Sequence, residues 1–552
     1  MGTRKLLLAV LLLGIIAPLA ASCAPPEEKL ETTVNLNLGT EPPTLDPHLA
    51  TDMASLAVID GLFWGLTDID EKTNEAIPEL ATEWTVSEDG LVWTFQMRDD
   101  VWWVHYDPET NKAEKMRKVT AHDVEYGTKR TIDPATGSNY AYVEYIIQNA
   151  YAVNTGEPGV TLDSIGVKAL DDHTVQFTLE QPAGYFPFIA GMWVNYPLPR
   201  EVIDEHGDVW TEPGNLWSCG TYMLDTWEHE SRIVQVKNPH YYDAKSVSIE
   251  TVNWAMINDA STALAMYEAG ELDSVQPPLA DLDRIRADPE LSKQLYVLPQ
   301  LATFYIGFNV NKPPVDNKLV RRALSAAVDR QKLIDTVLKG GQQPAKTFAS
   351  PGIFGSPALD PDFEGITFDP QQAQEWLAEA GYPNGEGFPE MIYMFSAASE
   401  LQKVAEFIQK QWKDNLGIDV QLASQEWKVY LQTLRMDPPQ VWALGWTADY
   451  PDENNWVLEV FHPTRGGNNP QWDPEDPAAT RFMQVTDAAA AESNPAVRKD
   501  LYFEAEKILC EDEAIIIPLV HYTDSWITKP YLERIYPVLG LPHIEKWKVR
   551  AH

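Results

Sequence analysis

The second half of the chain constrains the fold most, because strand-like and helix-like segments alternate from residue 300 onward. Phe304–Asn309 has the apolar composition of a buried strand, and the last run of this kind is Ile515–Val520. Between them, Asp316 is predicted to cap a helix that ends at the glycine pair 340–341. Strands and helices that alternate in this way predict an α/β fold.

The length of the chain predicts more than one domain. A chain of 552 residues exceeds what a single hydrophobic core usually supports, so we expect two or three domains. Three cysteines with no Cys-x-x-Cys pair exclude a disulfide framework and a zinc–cysteine cluster. Cys219 and Cys510 lie far apart in sequence, and spacing alone leaves their pairing open.

The charge balance excludes two classes of partner. Lys and Arg total 42 and Asp and Glu total 82, which gives a formal net charge of −40. Phosphate binding needs a basic surface, so nucleic acid is excluded, and so is electrostatic binding to an anionic membrane. Repulsion between acidic copies keeps a protein soluble, and we expect a monomer.

The N-terminus has the pattern of an export signal. Arg4 and Lys5 precede an apolar run at 6–17, and small residues lead to Cys23. The end of this segment resembles a bacterial lipobox, which predicts a lipoprotein signal peptide over 1–23 and lipid attachment at Cys23. An ordinary cleaved signal with an incidental cysteine is the alternative.

Beyond the signal, the chain is expected to stay in the aqueous space. Residues 24–32 are polar and contain two prolines, as a flexible tether does. No later segment is long and apolar enough to cross a membrane, so the lipid would be the only contact with the bilayer.

Catalytic and metal-binding motifs are absent from the sequence. His229-Glu230 lacks the second histidine of a zinc protease motif, and the segment 68–79 has Thr73 where a calcium loop needs glycine. We therefore predict no catalytic residue, no metal and no cofactor. With 82 acidic residues, the carboxylate pair of a glycoside hydrolase stays open as an alternative, although no spacing points to it.

The segment Trp442–Pro451 combines an apolar run of strand length with a carboxylate and aromatic residues. Such a segment can simply terminate a strand, or it can hold a ligand that has a cationic end and a flat or apolar body. We favour the second interpretation, with another lobe closing over the segment.

Six further segments recur in a characteristic order between about residue 33 and the C-terminus, namely Thr40–His48, Ile77–Trp84, Gly90–Phe95, Arg321–Arg330, Ala378–Tyr382 and Ala448–Pro451. Taken together they resemble the family 5 extracellular solute-binding proteins of ABC importers, and among these most resemble the members that bind oligopeptides. None is decisive by itself, and their order and spacing carry the resemblance.

The resemblance implies a two-lobed periplasmic-binding-protein-like fold, often called a Venus flytrap, with an extra inserted domain and a hinge of two crossings. Domain I would comprise 33–65, 200–302 and 524–552, domain II the insert 66–199, and domain III the second lobe 303–523. Such a hinge allows the lobes to close as rigid bodies.

The resemblance also implies ligand-binding residues. Asp449 would pair with the α-ammonium group of a peptide, the alternative being an aspartate that holds a turn. Trp446 and Trp427 would line pockets for ligand side chains, the alternative being ordinary core tryptophans. Tyr140 would contact the peptide backbone from the second domain, and Gly445 would offer its own backbone to an extended ligand.

Other positions depart from the pattern of the peptide-binding members. Ala443 and Leu401 stand where groups that grip the ligand carboxylate would be, and only Lys339 lies near a third such position. Ala302 and Thr447 replace a cysteine pair. The amine anchor is thus kept, while recognition of a C-terminus at a fixed distance is not.

Together these features predict a non-enzymatic, lipid-anchored, extracytoplasmic receptor that captures oligopeptides and delivers them to ABC permease subunits. An oligosaccharide receptor of the cello or xylo type is the main alternative, because 19 tryptophans supply faces on which sugars stack. A secreted glycoside hydrolase is less favoured, and a sensor that has kept the fold but lost transport also stays open.

Overall fold

A computed structural model describes residues 32–397, 399–539 and 542–550 of the protein. Within these ranges, no helix has both the length and the apolar character that a membrane crossing requires. The proposed signal peptide, the tether and Cys23 lie outside the described residues, apart from Thr32 at the end of the tether.

The strands are β1 (Thr33–Asn37), β2 (Thr67–Ile69), β3 (Ala76–Pro78), β4 (Ala81–Val86), β5 (Val92–Met97), β6 (Trp102–Asp107), β7 (Lys112–Lys118), β8 (Val167–Asp171), β9 (Thr174–Thr178), β10 (Trp217–Ser218), β11 (Tyr222–Glu228), β12 (Arg232–Lys237), β13 (Thr251–Ala255), β14 (Ser274–Val275), β15 (Leu295–Phe308), β16 (Gln343–Pro344), β17 (Met391–Ser396), β18 (Val420–Gln425), β19 (Val441–Thr447), β20 (Ile516–Thr528), β21 (Leu532–Glu533) and β22 (Lys548–Val549).

The α-helices are α1 (Met53–Leu62), α2 (Ala121–Ile132), α3 (Ala150–Asn154), α4 (Phe186–Gly191), α5 (Arg200–His206), α6 (Ala260–Ala269), α7 (Leu282–Ala287), α8 (Lys318–Ala326), α9 (Arg330–Leu333), α10 (Pro370–Glu379), α11 (Ser399–Leu416), α12 (Trp427–Met436), α13 (Glu459–Phe461), α14 (Pro477–Ala491) and α15 (Pro495–Lys507).

One large sheet runs through both lobes, and β15 and β20 are the strands that the lobes share. Residues 295–299 of β15 pair with 523–527 of β20, and after an irregularity residues 303–307 pair with 516–521. On one side the sheet continues through β14, β1, β13, β12 and β11, and on the other through β19, β17 and β18. The predicted two-lobed α/β fold is confirmed, and the chain crosses between the lobes within these two strands.

The first lobe has its own hydrophobic core. Most of the core residues lie between Val34 and Met256, and Leu532, Ile544 and Trp547 of the C-terminal segment pack into the same cluster. The four-stranded sheet β4-β5-β9-β8 and the three-stranded sheet β10-β6-β7 also belong to this half of the chain. The C-terminus thus returns to the first lobe.

The second lobe has two core clusters, one on each side of the sheet. One packs α8, α10 and α11 around strands β15 and β17, and the other contains α14 and α15. The apolar face predicted for the helix after residue 316 is buried, with Val320 and Leu324 fully enclosed.

The predicted bounds of that helix are wrong at both ends. Its cap is Asn317, whose side-chain oxygen accepts from the Leu319 amide at 2.9 Å, and not Asp316. The helix ends at Ala326, well before the glycine pair 340–341, because Asp329 caps a new helix by accepting from the Lys332 amide. The helical turns that follow end at Lys339, which has a left-handed φ of 57°.

The two long strands also exceed their predicted lengths. β15 begins nine residues before Phe304 and β20 continues eight residues past Val520, because both strands carry on into the first lobe. The added segments 295–301 and 521–528 are less uniformly apolar than the buried halves, so hydrophobic runs alone do not reveal them.

A buried ion pair stabilises the turn that follows the segment 442–451. Arg498 of α15 donates two hydrogen bonds of 2.7 Å to the two carboxylate oxygens of Asp452, and both side chains are less than 10% exposed. Tyr502 accepts a further bond from the same guanidinium. Bidentate pairing of this kind fixes the geometry of the loop as well as its charge.

We predict that Arg498→Met destabilises the protein by about 3–5 kcal/mol, because Asp452 would stay buried without its partner. Urea unfolding followed by tryptophan fluorescence measures the loss. Arg481→Met is the matched control, because its partner Glu504 is exposed and lies on the same helix pair, and it should leave the midpoint unchanged. Equal midpoints for the two variants would contradict the assignment.

Candidate functional site

The candidate site begins where β19 leaves the sheet. β19 pairs antiparallel with β15, with Gly445 opposite Phe304 and Thr447 opposite Ala302. The next residue, Ala448, donates its amide to the Leu301 carbonyl at 2.8 Å, which ends the ladder. The segment that follows therefore turns away at the point where the lobes meet.

Asp449 is held by one neighbour. Its amide donates to Oδ1 of Asn455 at 2.9 Å, and Nδ2 of Asn455 donates to Oδ2 of Asp449 at 2.9 Å. Burial raises the pKa of the Asp449 carboxyl to about 6, and the Asn455 hydrogen bond opposes that rise. Throughout the described part of the chain, no Lys, Arg or His forms an ion pair with Asp449. A desolvated carboxylate without a cation is suited to an ammonium group.

A second carboxyl group lies beside the first, and the sequence analysis missed it. Oε2 of Glu459 accepts from Nδ2 of Asn455 at 2.8 Å, and the Tyr450 hydroxyl donates to Oε1. Burial raises the pKa of Glu459 to about 8, and the negative charge of Asp449 adds to the rise. Asn455 and Glu459 are four residues apart in a helical segment, a spacing that puts both on one face.

Tyr140 faces this group from the other side of the cleft. The charge of Asp449 is the largest cause that raises the pKa of the Tyr140 phenol, so the two groups are close neighbours. The Tyr140 ring packs at 5.4 Å from Tyr142 and 5.5 Å from Trp193. The structure therefore brings together Tyr140 and Asp449, which the resemblance put on opposite sides of the ligand.

Stacked aromatic rings join the two sides next to this contact. The rings of Tyr185 and Tyr450 lie 5.5 Å apart at an interplanar angle of 8°. The Arg498 guanidinium lies 5.2 Å from the centre of the Tyr185 ring. The inserted region and the second lobe are thus in direct contact at the site.

Two cavities lie along β19. The first, which we call the Trp446 cavity, has a volume of about 930 Å³. It is lined by aromatic residues of the inserted region and by Trp446, Leu458 and Glu459 of the second lobe. The second, which we call the Trp427 cavity, has a volume of about 660 Å³ and includes Trp427 and Gly445 in its wall. Leu444 lines both cavities, so they adjoin at this strand.

The tryptophans differ in their surroundings. Trp446 is half-buried, and its indole N–H donates to Oδ1 of Asn455 at 3.3 Å. Trp427 is 52% exposed at the start of α12, with its ring 6.3 Å from that of Tyr430. Neither is an ordinary core tryptophan, and each borders a cavity large enough for a ligand side chain.

Gly445 exposes an unpaired strand edge. The far edge of β19 pairs with β17 at Val441 and Trp442. The amide and carbonyl of Ala443 then bond to the Tyr430 hydroxyl, so this residue points its backbone groups away from β15. By the alternation of an antiparallel ladder, Gly445 and Thr447 point theirs the same way, toward the Trp427 cavity.

The departures noted in the sequence have structural counterparts. Ala443 and Leu401 both line the Trp427 cavity as apolar groups. Lys339 lines neither cavity and pairs instead with Asp283 at 2.8 Å. The replaced cysteine pair corresponds to Ala302 and Thr447, which lie directly opposite each other in the ladder.

The two described cysteines do not pair with each other. Cys219 packs in the core of the first lobe and Cys510 in that of the second, and both are free thiols. Cys510 donates to a carboxylate oxygen of Glu506 at 3.1 Å. Cys219 and Cys510 are thus not bonded to each other, a pairing that their spacing in the sequence left open.

One titratable cluster outside the cleft also escaped the sequence analysis. His543 lies 3.4 Å from Asp68 and 3.4 Å from Glu545, and Asp60 adjoins it. Burial disfavours the His543 cation, but the charges of Asp68, Glu545 and Asp60 outweigh it and raise the imidazole pKa to about 10. We interpret the cluster as an ion-pair network, because His543 lies within ion-pair distance of both Asp68 and Glu545.

The comparisons with known proteins agree with this architecture. A family model described as bacterial extracellular solute-binding proteins, family 5, middle region, matches residues 75–468. The oligopeptide-binding protein OppA of Bacillus subtilis (strain 168) is 33% identical over 519 residues, covering 92% of this chain and 91% of the relative.

Solved structures extend the likeness to the whole fold. The murein tripeptide binding protein MppA of Escherichia coli superposes with a TM-score of 0.80 at 31% identity, covering 95% of this chain and 99% of that one. Haemophilus influenzae OppA, in complex with the peptide RPPGFSPFR, superposes with a TM-score of 0.76 at 26% identity, covering 94% and 99%.

Two lobes joined by shared strands, with cavities along β19 where the lobes meet, have the architecture of a solute-binding protein. The chain belongs to the bacterial extracellular solute-binding proteins of family 5. The family predicted from the ordered segments is thereby confirmed, and it is a family of binding proteins.

Proposed function

We propose that this protein is the extracytoplasmic receptor of an ABC importer, and that it captures oligopeptides and delivers them to the transmembrane permease subunits. The observation that carries the proposal is the carboxylate of Asp449, which is half-buried and desolvated, held by Asn455 and close to Tyr140, and has no cationic partner among the described residues. The peptide-binding names of the relatives support it.

The α-ammonium group of the peptide would pair with Asp449. Charge-assisted hydrogen bonds in a desolvated site are strong, and every peptide with a free N-terminus has the same donor. The phenol of Tyr140 supplies a further polar contact from the opposite lobe. This anchor recognises the peptide end and not a particular side chain.

The peptide backbone would lie along the open edge of β19. Gly445 and Thr447 offer amide and carbonyl groups there, and an extended chain added to a strand edge forms hydrogen bonds independently of its side chains. The Trp446 and Trp427 cavities would take the side chains, with water filling unused space. Such an arrangement suits a receptor with broad specificity.

Closure of the lobes would enclose the peptide. Domain I and the inserted domain II, 66–199, would move together against domain III, 303–523, about the crossings in β15 and β20. The contact between Tyr185 and Tyr450 and the proximity of Tyr140 to Asp449 support a closed arrangement. No step of this cycle requires catalysis by the receptor.

The remaining parts of the proposal concern location. Lipid attachment at Cys23 would hold the receptor at the outer face of the cell membrane, on the tether 24–32, as a monomer. The absence of a zinc protease or calcium-loop motif in the sequence supports a receptor without enzymatic activity or cofactor.

Asp449→Asn tests the anchor. The substitution keeps the side-chain volume and removes the charge, so we predict a loss of about 2–5 kcal/mol in peptide affinity, roughly thirtyfold to several thousandfold. Isothermal titration calorimetry measures it, with the tightest-binding sequence from pools of random tri- to nonapeptides. N-acetylation of that peptide should weaken binding to the native chain by a similar factor.

Asp414→Asn provides the control for this substitution. Asp414 pairs with Lys410 on the exposed face of α11, and its loss should leave peptide affinity unchanged. If Asp449→Asn binds peptide as tightly as the native chain does, the anchor is wrong. An oligosaccharide that binds both chains equally would favour the sugar alternative.

The pKa of Asp449 predicts how affinity depends on pH. A ligand ammonium binds the ionised carboxylate, so below about pH 6 a proton must be displaced and the dissociation constant should rise toward tenfold per pH unit. Between about pH 6.5 and 7 the constant should change little, because the ligand α-amine, whose ordinary pKa is about 7.7–8.0, stays mostly protonated. Asn455, Tyr140 and Glu459 surround Asp449, and burial raises the pKa of Glu459 to about 8, above the range in which Asp449 titrates.

Titration calorimetry between pH 5 and 7.5 checks this profile. In the Asp449→Asn variant the residual affinity should not change across pH 6, because the titrating group is gone. A dissociation constant of the native chain that is flat from pH 7 to pH 5 would show that Asp449 does not receive the ligand charge.

A further inference from the structure

Arg534 lies in the wall of the Trp427 cavity, on the C-terminal segment that returns to the first lobe. Three aromatic rings surround its guanidinium, with centres 3.7 Å away in Trp526, 4.8 Å in Tyr536 and 4.9 Å in Trp547. Aromatic faces attract a cation but leave its N–H donors in the plane unused. The cage therefore orients the guanidinium without neutralising it.

The hydrogen-bonding capacity of Arg534 is mostly unfilled. Nη1 donates to the Ser274 hydroxyl at 2.8 Å, and Nε is buried without an acceptor. In the part of the chain that the structure describes, no carboxylate lies within ion-pair distance of this side chain. Arg498 by contrast binds Asp452 through two nitrogens, and Arg330, which is buried without a carboxylate, donates to Pro518 and Ser325 through all three of its nitrogens. An unpaired buried cation is costly unless a ligand completes it.

The charge of Arg534 is nevertheless kept at neutral pH. Burial lowers the pKa of its guanidinium to about 10, and the Tyr536 phenol and the Asp524 carboxyl only partly offset that effect. Asp524 lines the same cavity, and burial raises its pKa while Trp526 and Arg534 oppose the rise. The wall thus presents one acidic and one basic group that do not form an ion pair.

Arg534 lines a different cavity from Glu459, the neighbour of the proposed amine anchor. The Trp427 and Trp446 cavities adjoin at Leu444, and the open edge of Gly445 and Thr447 leads along the Trp427 cavity. The Asp449–Glu459 group belongs to the Trp446 side, because Glu459 and Trp446 line that cavity. A chain that starts at Asp449 and follows β19 would enter the cavity that contains Arg534.

We propose that Arg534 binds the C-terminal carboxylate of the ligand, so that the receptor selects peptides with both ends free. The planar donor fork of a guanidinium matches a carboxylate in geometry. Ala443 and Leu401 have no charge to offer, and Lys339 is paired with Asp283, so Arg534 supplies the missing recognition from the first lobe. This inference rests on the proposed peptide-binding function.

The test compares two forms of the same ligands. Pools of random tri- to nonapeptides are prepared as free acids and as C-terminal amides, and binding is measured by competition in native mass spectrometry. The native chain should bind the acids at least tenfold more tightly than the amides. Arg534→Met keeps the unbranched stem between the aromatic rings and removes the charge, so it should bind acids and amides equally.

Two further variants serve as controls for the role of Arg534. Arg534→Lys keeps the charge without the fork and should retain a smaller preference for acids. Arg550→Gln, on the same segment and paired with Glu533 at the surface, should retain the full preference. If Arg534→Met does not fold, the preference of the native chain for acids over amides and the smaller preference expected of Arg534→Lys still test the proposal.

The outcomes separate this inference from the function on which it rests. Equal binding of acids and amides by the native chain, with an intact dependence on Asp449, overturns the role of Arg534 alone. An undiminished preference for acids in Arg534→Met overturns it as well. Failure of the native chain to bind peptides of either form would overturn the proposed function, and this inference with it.

Discussion

The antiparallel pairing of β15 with β20 is the interaction on which the rest of the structure depends. Both strands run from one lobe into the other, so one continuous ladder joins two separate hydrophobic cores. The irregularity between Pro299 and Thr303 interrupts that ladder where the lobes meet. β19 pairs with β15 immediately beyond this irregularity, and the loop that contains Asp449 follows β19. The proposed binding edge of β19 therefore lies next to the point where the chain crosses between the lobes.

Charge pairing at the candidate site differs from that of two fully buried aspartates of this very acidic molecule. Asp46 is paired with Arg130 and Asp452 with Arg498. Asp449 has only an asparagine, and Arg534 has only a hydroxyl and aromatic rings. A desolvated charge without a counter-ion is costly, and our proposal of a ligand that carries both charges rests on these two groups of opposite sign.

The fold could largely be predicted from the sequence, because local chemistry and segment order are both readable. Asp369 caps α10 through the amides of Gln371 and Gln372, as such a residue before a proline is expected to do. The cap at Asn317 shows the limit, because Asp316 next to it has the same propensity and only the surrounding backbone decides between them. The lengths of β15 and β20 depend on the other lobe, which no local pattern contains.

The candidate site could be predicted only in part. Asp449 and Trp446 stand in one recognisable segment, whereas Tyr140, 309 residues earlier in the chain, was expected at the site only through the family resemblance. Glu459 and Asn455 carried a signal in their helical spacing, but among 82 acidic residues it was weak. Arg534 had no signal at all, because its character arises from rings that meet only in the folded first lobe.

Native mass spectrometry of gently purified protein tests the central claim most directly, because a closed receptor retains what it has captured. The account predicts a series of mass increments that correspond to peptides, which denaturation releases and tandem fragmentation sequences. A co-purifying oligosaccharide in the cleft would contradict it.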